Sequence, residues 1–248
     1  MLPANDKYMH NIADNLNRLH RQIQQIADRT GRDADKIQLL AVSKGQPATA
    51  IRTAYELGQR HFGENYLQEA LEKQRALADL TDICWHFIGP LQSNKTRKVA
   101  EQFDWVHSVD RYRVAERLNT QRPATRGPLN VCLQVNIDSE VSKSGIAVAA
   151  LPTLAEKIIE LPHLNLRGLM CIPRSQPDLQ RQRIAFAQLA AQLNTLRDSS
   201  RLARLDTLSM GMSDDLEAAI LEGSTIVRIG TAILVPGKPL GNHPQPFD

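Results

Sequence analysis

The chain has 248 residues, enough for one large domain or two small ones. Apolar residues make up 42% and charged residues 23%, the balance of an ordinary globular protein and not of a disordered or fibrous one. A net charge of +3 and an aromatic content of 4% announce neither a strongly basic surface nor a platform for stacking bases.

The first segment is helical: Met9, Ile12, Leu16, Leu19, Ile23 and Ile26 recur at spacings of three and four and share one stripe. That stripe serves either a coiled-coil partner or the rest of the same domain, and fewer than four heptads favour the domain. After Gly31 short apolar runs alternate with helical stretches. The first strand is 37–42; Pro47 opens the next helix and Gly58 closes it. A strand at 61–63 leads into a helix over 66–80, and a third at 85–88 into a Gln- and Lys-rich helix reaching Phe103. A fourth strand at 105–108 precedes a helix at 111–120, and a fifth at 129–137 precedes one at about 148–160. The sixth strand, 164–172, is followed by a helix at 178–197, and the seventh, 207–210, by one at 214–221. The eighth strand is 225–229.

Near-continuous apolar strands suit buried parallel sheet. Eight of them in ~250 residues have the count and length of a single-domain (β/α)8 TIM barrel. The N-terminal helix is extra to that plan and is available to cover the eighth strand, which no clear helix follows. The barrel domain is expected over residues 1–236, with a loose, proline-containing tail at 237–248.

Cys84, Cys132 and Cys171 are odd in number and widely spaced, which fits a reducing compartment. No apolar run approaches the ~20 residues that cross a bilayer, and Met1 to Asn15 lacks a signal-peptide core. The expected setting is cytoplasmic, away from membranes. The histidines and cysteines show no metal-ligand spacing along the chain.

Barrel chemistry sits at the C-terminal ends of the strands. Strand one ends in Ser43-Lys44-Gly45. Lys44 either reaches into solvent or supplies an amine able to attack a carbonyl. Strand seven runs into Ser209-Met210-Gly211-Met212-Ser213, with Asp214 and Asp215 at a helix start, and strand eight ends in Arg228-Ile229-Gly230-Thr231. Loops after strands seven and eight commonly bind phosphate, and these offer small residues, hydroxyls and a helix N-terminus. Ser213 as a plain helix N-cap is the competing reading of the first loop. An amine on strand one and a phosphate cradle on strands seven and eight together suit pyridoxal 5′-phosphate. Arg228 then faces the ring nitrogen, unless it forms a salt bridge at the barrel rim.

Further segments carry a family resemblance: Ala41-Val42-Ser43-Lys44, His61 to Tyr66, His86 to Lys95, Lys143-Ser144-Gly145-Ile146, Gly168-Leu169-Met170, Leu208 to Ser213 and Arg228 to Thr231. In this order the chain resembles the pyridoxal phosphate homeostasis proteins, the YggS/PROSC family. The resemblance implies a barrel like the N-terminal domain of alanine racemase that binds pyridoxal phosphate without well-defined turnover. It implies a Schiff base on Lys44, Arg228 at the pyridine nitrogen, and phosphate held by Ser213, Gly230 and Thr231. Ser209 and Met210 would line the same wall, Asn65 would lie against the ring with His86 nearby, and Lys143 would stand near the mouth. The family usually continues with Phe-Gly and a basic tail where this chain has Leu234-Val235-Pro236-Gly237-Lys238-Pro239.

An arginine only donates hydrogen bonds, so it favours an unprotonated ring nitrogen, a poor electron sink. That suits a carrier that is a monomer or weak dimer and makes transient contact with apo-enzymes needing the cofactor. The alternatives are a pyridoxal-phosphate-dependent amino-acid racemase using Tyr66 or His86 as a local base, and a nucleic-acid or protein-binding module. The latter would use Lys95-Thr96-Arg97-Lys98 and Arg181-Gln182-Arg183, runs that otherwise read as solvated helix faces, so no specific nucleic acid is expected.

Overall fold

The computed structural model describes residues 4–139 and 144–234; Lys143 and the tail at 237–248 lie outside the described residues. The order is α1 (Ala4–Thr30), β1 (Gln38–Val42), α2 (Ala48–Glu56), β2 (His61–Glu64), α3 (Leu67–Ala76), β3 (Cys84–Phe87), α4 (Thr96–Gln102) and β4 (Trp105–Val109). It continues with α5 (Tyr112–Gln121), β5 (Leu129–Gln134), α6 (Leu151–Ile158), β6 (Leu164–Met170), α7 (Leu179–Arg197), β7 (Thr207–Ser209), α8 (Leu216–Leu221), β8 (Ile226–Ile229) and α9 (Thr231–Leu234). Each strand pairs in parallel with the next, and β8 closes on β1 through Leu39↔Val227 and Ala41↔Ile229. The eight strands therefore form a closed parallel barrel, as the alternation of apolar runs and helices predicts.

Strand side chains alternate between two faces. The outward set, including Leu39, Ala41, Phe62, Phe87, Val106, Val131 and Ile229, packs beneath the helices in the main core. The inward set includes Leu40, Val42, Ile88 and Ile226, against which Trp105 packs. Polar side chains share the interior with them: His86, His107, Ser209 and Arg228 are all buried.

The stripe of α1 turns inward. Ile12, Leu16, Leu19, Ile23 and Ile26 are buried in the main core, where the helix packs on α8, α9 and α2. Asn15 Nδ2 donates to Ile233 O at 3.1 Å, and Arg32 donates to Ile220 O and Ser224 O, each at 2.7 Å. The helix thus packs beside α8 and α9, the helices on either side of the eighth strand in the chain.

The Gln- and Lys-rich stretch divides into a 3-10 turn at Ser93–Lys95 and α4. The fifth strand stops at Gln134, short of the expected Ile137, with only an isolated bridge from Val135 to Ile146 beyond it. The two basic runs lie on α4 and α7 and are partly neutralised there. Lys98 pairs with Glu101 at 2.9 Å, Arg181 with Asp178 at 3.3 Å and Arg183 with Glu222 at 2.6 Å. No helix among the described residues is long and apolar enough to cross a membrane.

Candidate cofactor site

At the C-terminal ends of the strands a cavity of about 330 Å³ opens to solvent, lined by Val42, Lys44, Asn65, Ile88, Ile172, Met212, Ser213, Asp214, Arg228, Gly230 and Thr231. Its volume suits a small ligand. Six of the nine site residues predicted from sequence lie on it: Lys44, Asn65, Ser213, Arg228, Gly230 and Thr231.

Arg228 projects inward from β8 and is 5% exposed. Its Nη1 donates to Ser209 Oγ at 2.9 Å and its Nη2 to Cys171 O at 2.8 Å, leaving Nε without an acceptor among the described residues. Burial pulls its pKa below the ordinary value, with Cys171 and Asp215 acting the other way. The guanidinium stays charged all the same. No described carboxylate forms an ion pair with it, so the rim salt bridge is not its role.

The phosphate-type loops are shaped for close approach. Gly211 has φ +95, and a Cβ there would meet Ala219 Cβ at 2.4 Å. Helix α8 begins at Leu216 with Asp215 as its N-cap, so Ser213 is not the cap. Ser and Asp are both good caps, and sequence alone does not choose between neighbours. Instead Asp215 Oδ1 accepts from Met212 N at 2.6 Å, and the Ser213 hydroxyl bonds no described residue. The backbone N–H groups of Gly230 and Thr231 likewise have no described acceptor. These free donors beside the arginine suit an anion.

Lys44 is exposed at the mouth, and its Nζ bonds no described residue. The backbone on either side of it is tied down. Lys73, 6% exposed on α3, donates to Ser43 O at 2.6 Å, Glu64 Oε1 at 2.7 Å and Glu69 Oε1 at 2.5 Å. Ser43 Oγ donates to Glu64 Oε1 at 2.6 Å, and Glu69 Oε1 accepts from Gly45 N, also at 2.6 Å. Burial pushes the Glu64 carboxyl up, against the bonds from Lys73 and Ser43 that favour its charge. This buried cluster holds the strand-one loop so that the lysine stem starts from a fixed place.

Asn65 Oδ1 is buried with no hydrogen-bond partner among the described residues. The residue is fixed by Gly89, where a Cβ would lie 2.1 Å from Asn65 O. A buried polar atom left without a partner is uncommon, and here it belongs to a residue of the cavity wall. An amine at the mouth, a donor-only cation in the floor and free N–H and hydroxyl donors on one wall fit the three functional parts of pyridoxal phosphate.

The other three predicted residues do not line the cavity. Ser209 is fully buried and supports Arg228 from beneath. His86 is 1% exposed, deeper in the barrel, where it bonds His61 and His107. Met210 is fully buried in the main core, on the outward face of its strand. Sequence reading missed Val42, Ile88, Ile172, Met212 and Asp214. Their signal was position alone, at or just beyond the carboxyl ends of strands.

Comparison with known proteins defines the class first: residues 15–236 match the family described as alanine racemase, N-terminal domain. A pyridoxal phosphate homeostasis protein of Pseudomonas aeruginosa is 57% identical over 225 residues, covering 91% of this chain and 95% of that protein. The homeostasis protein of Escherichia coli K12 is 54% identical over 227 residues, covering 91% of this chain and 96% of that protein. The structure of Synechococcus elongatus PipY with PLP bound is 40% identical with a TM-score of 0.80, covering 90% of this chain and 99% of that one. Alanine racemase from Corynebacterium glutamicum shares the fold alone, at 18% identity and TM-score 0.64, over 95% of this chain and 65% of its own. The chain belongs to the pyridoxal phosphate homeostasis proteins, within the alanine racemase N-terminal domain family.

Proposed function

We propose that the protein binds pyridoxal 5′-phosphate for cofactor homeostasis in the cytoplasm, holding it as a Schiff base on Lys44 and handing it to enzymes that need it. The observation that carries this reading is the convergence of Lys44, Asn65, Ser213, Arg228, Gly230 and Thr231 on one cavity. Ser213, Gly230 and Thr231 bind the phosphate through hydroxyl and backbone donors, and Asn65 orients the ring. Bound there, the cofactor supplies a reactive aldehyde and an electron-accepting ring.

Arg228 limits that acceptor. A guanidinium at the ring nitrogen donates a hydrogen bond and yields no proton, so the ring draws carbanion charge weakly. Racemisation further needs acid/base groups on both faces of a substrate. Of the two local bases considered, His86 is sealed beneath the cavity and Tyr66, 63% exposed, does not line it. Lys44 stands at the open mouth, where an incoming amine can exchange with its own. The recipient then needs only transient contact with a monomer or weak dimer.

The test mixes the loaded protein with an apo-aminotransferase while a phosphatase destroys free cofactor. Recovery of aminotransferase activity, with no loss of the α-deuteron from deuterated amino acids, is the expected result. Rapid α-deuteron exchange without reactivation would replace the carrier by a racemase.

A further inference from the structure

Three metal-ligating side chains meet at the opposite end of the barrel from the cavity. His61 and Cys84 begin β2 and β3 and are register partners, and His86 follows Cys84 by two residues on the same inward face. His61 Nδ1 lies 2.9 Å from His86 Nε2, and Cys84 Sγ lies 3.4 Å from that same nitrogen. One ligand atom from each falls within 4.8 Å of the other two. We propose that His61, Cys84 and His86 form a His2Cys site for a zinc-class divalent ion, with a fourth position left for water.

The distances suit this. Zn–N of ~2.0–2.1 Å and Zn–S of ~2.3 Å in a tetrahedron place ligand atoms about 3.3–3.6 Å apart. The two contacts to His86 Nε2 need to spread by only a few tenths of an ångström, and His61 and Cys84 stand within 4.8 Å of each other, near enough to close on a shared ion. His61 and Cys84 are half-buried, and a surface cavity of about 410 Å³ reaches His61 past Gln38, Gln59 and Arg60.

The support behind the ligands is of the kind metal sites use. His86 Nδ1 is 2.9 Å from His107 Nε2, His107 Nδ1 is 2.7 Å from Ser209 Oγ, and Trp105 stacks on His86 with 9° between ring planes. Protons balance simply. The Cys84 thiol loses its proton to solvent as the S–metal bond forms. His86 keeps one proton, which must sit on Nδ1 and point to His107 once Nε2 binds the ion. One proton is released per ion, and neither redox change nor co-reactant is needed.

This chain of contacts continues from Ser209 to Arg228, so the ion would sit at the foot of the residues that carry the cofactor cavity. The site itself is independent of what fills that cavity.

Untagged, metal-stripped full-length protein titrated with Co²⁺ alone tests the proposal. One ion per chain is expected, with tetrahedral visible bands, a near-ultraviolet thiolate-to-cobalt band, quenched tryptophan fluorescence and displacement by Zn²⁺. Cys84→Ser should lose the thiolate band. His61→Gln, which keeps the thiol, should weaken binding by at least the ~10–100-fold that even outer-shell changes cost. No binding, binding without the thiolate band, or equal affinity in wild type and His61→Gln would overturn the site.

Discussion

Ser213 illustrates how a single side chain decides between two readings. As an N-cap it would contribute about 1 kcal/mol to folding, and its loss would be felt without any ligand. In the structure helix α8 starts only at Leu216, after Asp215, and Ser213 lines the cavity with its hydroxyl unbonded to any described residue. Ser213→Ala should therefore change the stability of the cofactor-free protein by less than about 0.5 kcal/mol while lowering affinity for pyridoxal phosphate. Denaturant melts and a cofactor titration separate the two effects. Arg228 was similarly ambiguous in sequence. Its missing carboxylate partner and its bonds to Ser209 and Cys171 O assign it to the cavity floor. Strand alternation explains which neighbours join it. Leu40, Val42 and Lys44, like Ile226, Arg228 and Gly230, fall two apart on the inward face. Met210 follows the inward-facing Ser209 by one residue and so must point outward, a constraint present in the sequence but outweighed by family resemblance.

At the scale of elements, the loop after β1 owes its shape to α3. Lys73 bridges Glu64, Glu69 and the carbonyl of Ser43 in a place shielded from water. Removing one partner of a buried pair costs about 3–5 kcal/mol, because the remaining charge is left without compensation. Lys73→Met should lose about that much stability at neutral pH. The sign of its pH dependence follows from Glu64, whose folded-state pKa burial raises. A raised carboxyl pKa means stability that is present at low pH and lost as pH rises through the folded value. Without Lys73 that rise is larger, so the deficit of the variant should shrink as the pH is lowered towards 5; denaturant melts at two pH values measure it. The existence and order of strands and helices were legible because a buried parallel sheet writes apolar runs between amphipathic helices. Which strand residues face one another was not. His61 and Cys84 are 23 positions apart and meet only through the β2–β3 register. The pair Cys84-x-His86 on one strand face was the local trace of that cluster.

The whole molecule is a barrel with two differently equipped ends. The carboxyl ends of the strands hold the cavity with Lys44 and Arg228, and the amino ends hold the His61, Cys84 and His86 cluster. Helix α1 completes the outer ring among the described residues by packing its apolar stripe on α8 and α9. The cofactor end was foreseeable, because barrels place their chemistry in the loops after the strands. The proposed function rests on Lys44 holding the cofactor covalently. Incubation with pyridoxal phosphate, borohydride reduction and peptide mass mapping test it most directly. One reduced adduct is expected, on Lys44, absent from Lys44→Ala although that variant still binds the cofactor weakly. Adducts spread over surface lysines, at equal yield in wild type and Lys44→Ala, would contradict it.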